Sequence, residues 1–201
     1  EIARQLPEVP RRQILAEPAQ RNTAPIIGAG AHILHSIDAN AVMGVFPADH
    51  VITRPARYRR LLRPAFRAAA NGRMVVLGIQ PRWPETGYGY IEFPEGVEPG
   101  SLAPSTVRQF REKPDRATAE QFLAAGRFCW NAGMFFWRAD VYLEALRQHL
   151  PKTATLLAAL PPFSSRGFSK RFEETFPRCE NISVDYAILE KVSGVAGFAS
   201  D

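Results

Sequence analysis

Three short stretches of this chain set carboxylates, an amine and an amide beside turn-forming residues. In "VFPADH" (45–50), Asp49 follows an apolar run that Pro47 stops. A carboxylate just beyond a buried strand suits Mg²⁺, which takes one or two carboxylates together with phosphate oxygens and water. It suits capping of the following turn equally well. In "REKP" (111–114), Glu112 and Lys113 stand together at a strand end. They offer an acceptor for sugar hydroxyls beside a cation for a phosphate. Surface Glu-Lys pairs are common, so the pair alone is ambiguous. Strand alternation predicts that the two side chains point to opposite faces rather than forming a simple ion pair. In "WNAGMFFW" (130–137), Asn131 provides both a donor and an acceptor, and Gly133 permits close approach of a ligand. The flanking Trp130, Phe135, Phe136 and Trp137 are expected in the core, and His50, lacking a partner at metal spacing, is expected to be structural.

A fourth stretch, "RWPETGYGYIEF" (82–93), runs from a rigid turn directly into a strand. A plain hairpin needs one glycine at most. Pro84 followed by Thr86, Gly87, Tyr88 and Gly89 reads instead as a backbone-lined wall of a small-molecule site.

These stretches need a scaffold. The residues "QILA" (13–16) predict a short strand, and Asn22 or Thr23 caps a helix that has Pro25 in its first turn. The small residues Gly28, Ala29, Gly30 and Ala31 allow that helix to pack closely. Apolar runs at 41–46 and 73–79 predict buried strands, separated by a helix over 55–71. Further strands are expected at 90–93, 106–114 and 128–138, the last interrupted at residues 131–133. Helices are expected at 117–125, 139–149 and 152–160, with a last one capped by Ser183, and Asp185 is expected to serve the start of that helix. Strands alternating with helices predict an α/β domain with a mainly parallel, doubly wound sheet. Such sheets collect ligands at the carboxyl ends of their strands.

Composition narrows the class. The net charge is +5, carried by 21 arginines and only four lysines. The densest group (Arg54, Arg57, Arg59, Arg60, Arg63, Arg67) is spaced as a solvated helix surface rather than a nucleic-acid groove. No run approaches a membrane span, and no signal-peptide pattern opens the chain. Cys129 and Cys179 lack metal-ligand spacing and are expected as reduced thiols in a cytoplasmic protein.

Taken in order, "ILAEPAQRNTAP", "VFPADH", "GIQPRWPETGYGYIEF", "FREKPD", "NAGMFFWR" and "ENISVDYAILEK" resemble the bacterial mannose-1-phosphate guanylyltransferases. The resemblance implies a Rossmann-like nucleotide-diphospho-sugar transferase fold with a mixed, mainly parallel sheet flanked by helices. It implies condensation of GTP and mannose 1-phosphate to GDP-mannose and pyrophosphate, with Mg²⁺. By the same resemblance Asp49 binds the metal, and Thr86, Gly87, Tyr88 and Gly89 lie along the mannosyl site. Glu112 binds mannose hydroxyls, Lys113 the sugar phosphate, and Asn131 and Gly133 the sugar ring. Arg21, Asn22, Thr23 and Ala24 lie beside the nucleotide, and Asp201 matches a second metal aspartate. The family's glycine-rich N-terminal loop is not in this chain, so residues 1–201 are expected to be a partial catalytic domain. Trp83 stands where the family usually has arginine, and Phe46 where leucine is common. The resemblance implies no nucleic-acid or membrane partner and leaves room for a homo-oligomer. The competing expectations are a relative with another base or hexose, a non-catalytic sugar-nucleotide regulator and a basic nucleic-acid-binding domain.

Overall fold

Apolar runs and amphipathic stretches become strands and helices over residues 1–200, which the computed structural model describes. A short helix α1 (Ile2–Gln5) and a 3-10 turn at Arg11–Gln13 lead to α2 (Thr23–Ile37), β1 (Val42–Val45), α3 (Pro55–Ala70), β2 (Val75–Ile79) and β3 (Tyr90–Glu92). Next come β4 (Ser105–Thr106), β5 (Gln109–Arg111), α4 (Arg116–Ala125) and the long β6 (Phe128–Arg138). Helices α5 (Ala139–His149), α6 (Pro151–Ala158) and α7 (Phe168–Thr175), a π-helical turn (Asp185–Leu189) and β7 (Ala196–Ser200) complete the fold.

Local chemistry explains the boundaries. The Asn22 side chain accepts from Thr23 N at 2.9 Å and caps α2. Asp115 does the same for Thr118 N at 2.8 Å in α4, which ends on Gly126 in the left-handed conformation. Proline opens α3 and α6, where its missing N–H costs no helical bond. The strand expected at 13–16 does not form. Pro10 favours a turn, and the Ile14 N–H is committed to Arg11 O at 3.1 Å instead of a ladder.

The seven strands form one mixed sheet in the order β4-β7-β2-β6-β3-β5, with β1 also paired to β6. Helices cover both faces. Leu61, Ala65 and Ala68 of α3 pack with Val75, Leu77, Met134 and Phe136, while α2, α5, α6 and α7 cover Val76, Phe135 and Trp137. The arginines of α3 lie on its exposed side, as expected. The fold is therefore the α/β arrangement expected, but parallel pairing does not dominate. Among the described residues only β2 and β7 run parallel, and the other five pairs are antiparallel. The cause is β6, which opposes β1, β2 and β3 alike; a helix between two strands does not by itself make them parallel neighbours.

The strand expected over 106–114 is split. β4 pairs with β7 at one end of the order and β5 with β3 at the other, with only residues 107 and 108 between them. Val107 N donates to Val195 O and Arg108 N to Glu92 O, so the chain changes partner within two residues. That switch explains the broken alternation of Val107 and Phe110, and it requires the sheet to curl until its edges meet. On one face, α2 approaches closely: a Cβ on Gly28 would meet Leu157 at 2.8 Å and Leu146 at 2.9 Å. Tyr142 OH donates to Ala24 O at 2.9 Å and ties α5 to the same helix.

Candidate active site

One edge of β6 is taken by β2. The other edge is shared end to end, with β3 pairing to residues 128–130 and β1 to residues 135–138. Residues 131–134 lie between those two partners, and a cleft of about 720 Å³ opens there. The ladder to β2 is irregular at the same place. Between the pairs Val76–Phe135 and Gly78–Asn131, β2 advances two residues and β6 four. This is the interruption expected at 131–133, realised as a bulge within a continuous strand. Gly133 sits in it at φ 64, a conformation that favours glycine.

The cleft gathers residues from distant parts of the sequence. Thr23, Asp49, Gly87, Tyr88, Gly89, Glu112, Asn131 and Gly133 all line it. Asn131 N donates to Gly89 O at 2.7 Å, which joins the glycine-rich turn to β6. Asp49 is exposed on the rim, and its carboxylate has no hydrogen-bond or ion-pair partner among the described residues. No cluster of three or more His, Cys, Asp or Glu that could hold a metal occurs among them. A single unengaged carboxylate facing a cleft suits a Mg²⁺ ion that takes its remaining ligands from phosphate and water.

Glu112 and Lys113 correct one expectation. They form an ion pair, with Lys113 Nζ 3.1 Å from a buried Glu112 carboxylate. β5 ends at Arg111, and Lys113 has φ 43, so strand alternation no longer governs its direction. The hydrogen bond and charge of Glu112 raise the Lys113 pKa and keep its ammonium protonated. Lys113 itself is half-exposed beside the cleft rather than lining it.

Asp185, read from sequence as serving a helix start, lies in the cleft wall. Its Oδ1 accepts from Asn131 Nδ2 at 3.0 Å. Burial, then the charge of Glu112, pushes its pKa up to about 6, while Lys113 pulls the other way. Glu190, one turn later, accepts the Glu112 N–H at 2.8 Å. The expected helix capped by Ser183 is a π-helical turn, with Ser183 Oγ accepting from Tyr186 N at 3.4 Å. Neither acid's contact was readable from sequence spacing, because each partner lies more than fifty residues away.

An aromatic group forms another part of the wall. Trp130 is buried as expected yet also faces the cleft, with Trp83 and Tyr88 edge-on to it at 4.7 and 5.4 Å between ring centroids. Trp83 Nε1 donates to Glu85, whose carboxylate also accepts Gly87 N at 3.0 Å, so the turn is braced from within. Thr86 does not line the cleft.

The segment expected beside the nucleotide is tied to the chain near residue 180. Arg21 donates to Pro177 O, and Thr23 Oγ1 accepts from Val184 N at 2.9 Å. Ala24 is buried, its N–H donated to Ile182 O at 3.2 Å. Of these four residues Thr23 alone reaches the cleft, and Asn22 serves as the helix cap. Asp201 lies outside the described residues.

Residues 2–161 match the family described as Nucleotidyl transferase. The chain is 42% identical over 188 residues to "Alginate biosynthesis protein AlgA" of Pseudomonas aeruginosa, covering 90% of this chain and 38% of that protein. It is 39% identical over 202 residues to "Mannose-1-phosphate guanylyltransferase" of Escherichia coli K12, covering 96% and 42%. A solved structure from Thermus thermophilus, described as a "mannose-1-phosphate geranyltransferase", superposes with a TM-score of 0.80 at 30% identity, covering 98% of this chain and 55% of that one. The chain thus spans about two fifths of the length of these curated relatives. With a cleft that gathers a lone carboxylate, a glycine-lined turn and an acid–amide pair, and with this match over most of its length, the chain belongs to the nucleotidyl transferase family.

Proposed function

We propose that this chain is part of the catalytic domain of a mannose-1-phosphate guanylyltransferase, which condenses GTP with mannose 1-phosphate to GDP-mannose and pyrophosphate. One observation carries the reading: four segments far apart in sequence bring Asp49, Gly87 to Gly89, Glu112 and Asn131 to a single cleft. The names of its relatives support the choice of base and sugar. No described helix is long and apolar enough to cross a membrane. In this reading the chain works in the cytoplasm, where GTP is available.

In this reading the hexose lies against the glycine-rich turn. Glu112 accepts hydrogen bonds from its hydroxyls, and Asn131 meets the ring with the amide hydrogen and lone pair left over from its contacts to Asp185 and Gly133. Lys113, held protonated by Glu112, faces the sugar phosphate. A phosphate oxygen of that substrate attacks the α-phosphorus of GTP in line, and pyrophosphate leaves. The attacking oxygen is already ionised near neutral pH, so no protein base is required. Catalysis is then alignment and charge neutralisation. Enzymes of this family generally use a divalent metal; here Asp49, with Asp201 as its second carboxylate, would hold Mg²⁺, which neutralises charge on the transferring phosphates.

The test is a matrix of nucleoside triphosphates against sugar 1-phosphates with the full-length protein, read by pyrophosphate release and by mass of the product. Highest kcat/KM for GTP with mannose 1-phosphate is expected. Preference for another pair would reassign the base or hexose, and binding without turnover would favour a regulator.

A further inference from the structure

The π-helical turn Asp185–Leu189 and the residue that follows it carry two acids that hold two cleft-lining residues. Asp185 holds the Asn131 amide of β6, and Glu190 holds the backbone N–H of Glu112 just beyond β5. The turn is closed by Glu190 N donating to Asp185 O at 3.0 Å, the i to i+5 bond that defines it. That bond marks a winding wider than the α-helix, which brings residues 185 and 190 closer to one face. In an α-helix, five steps of about 100° would turn the two side chains about 140° apart. Both reaches therefore depend on the wider winding. The turn is anchored, since Ala187, Ile188 and Leu189 are buried in the core.

The chemistry of the partners also removes an ambiguity. An ionised carboxylate only accepts, and a backbone N–H only donates. With Nδ2 committed to Asp185 and Oδ1 to Gly133 N at 3.0 Å, Asn131 has a single amide orientation. It presents one N–H and one lone pair to the cleft in fixed directions. Glu190 meanwhile fixes the backbone from which Glu112 and Lys113 project.

We propose that this π-helical turn is a positioning clamp for the sugar-phosphate subsite, with Asp185 orienting Asn131 and Glu190 fixing the backbone at Glu112. The proposal rests on the reading of the cleft as a sugar 1-phosphate site. Glu190 is the better probe, because it is exposed and its loss leaves the core intact.

The experiment compares Glu190→Ala, Glu190→Gln and wild type in the full-length protein. Glu190→Ala is expected to raise KM for mannose 1-phosphate about tenfold, as loss of one charge-assisted hydrogen bond implies, with KM for GTP changed less than about twofold. Glu190→Gln keeps an acceptor oxygen and is expected to recover most of that loss. An unchanged sugar-phosphate KM in Glu190→Ala, equal rises for both substrates, or a Glu190→Gln no better than Glu190→Ala would overturn the clamp. If wild type makes no nucleotide sugar, the functional reading fails before any variant is compared. Calorimetric titration with mannose 1-phosphate then decides the clamp: weaker binding in Glu190→Ala alone supports it, and unaltered affinity or no binding by wild type overturns it.

Discussion

A Cβ built on Gly89 would stand 2.5 Å from Oε2 of Glu112, so the turn before β3 and the carboxylate beyond β5 leave no room for a side chain between them. The same Cβ would lie 3.3 Å from Phe110 and 3.4 Å from Asn131. Gly89→Ala must push the carboxylate aside. We expect it to raise KM for the sugar phosphate by about tenfold or more while GTP is little affected, since a small displacement of a positioning group is costly. Steady-state kinetics with each substrate varied in turn checks this, and equal effects on both would detach Glu112 from the sugar.

Asp49→Ala separates chemistry from stability. The side chain is exposed and makes no contact that supports the fold. Turnover with Mg²⁺ is expected to fall about 10²-fold to 10³-fold, the usual scale for losing a group that stabilises charge in the transition state. The thermal midpoint should stay within about 1 °C of wild type, because exposed positions of this kind rarely affect stability. Near-normal turnover would remove Asp49 from the reaction.

Lys113→Ala tests the ammonium. It should weaken mannose 1-phosphate by about tenfold to a hundredfold, in line with loss of a charge-assisted contact, and GTP by much less. Binding of each ligand measured separately distinguishes this from a general collapse of the site.

Asp185 predicts a pH dependence of stability. Its pKa rises from 3.8 to about 6 on folding, so the folded chain holds a proton that the unfolded chain has released. Glu112 adds to the shift, Lys113 and Ser183 oppose it, and the buried Tyr142 feels the same charge. Stability from this group is full below about pH 4, is lost as pH rises toward about 6, and is constant above that. The total is up to about 3 kcal/mol. Urea unfolding across this window should show the slope in wild type and not in Asp185→Asn. Parallel curves would place the proton elsewhere.

The thiols should be silent in the folded state. Burial pushes Cys129 up to about 11 and also raises Cys179, and both are free. Thiolate is the reactive form. Alkylation followed by mass spectrometry should modify neither until denaturant is added.

Much of this arrangement was readable beforehand where the signal is local. The cap at Asn22 and the buried residues 75–78, within the run expected at 73–79, follow from residue types within one turn of each other. So did the candidacy of Asp49, Gly87, Gly89 and Asn131, each set next to a strand end or a turn former. Strand direction was not local: β6 is antiparallel to three neighbours drawn from three parts of the chain. The Glu112–Lys113 contact depends on one positive φ at a residue type that seldom adopts it. Asp185 and Glu190 were hidden for another reason. An acid near the start of a helix, as Asp185 is, has an ordinary explanation, and nothing in the spacing of Glu190 points to the backbone of Glu112 that it holds.

The mismatch between β2 and β6 has a wider meaning for anyone moving this site to another scaffold. Copying the polar residues onto strands of matched length would let the sheet zip shut and fill the recess. What must be transplanted is an inequality, two surplus residues in one strand opposite none in its neighbour.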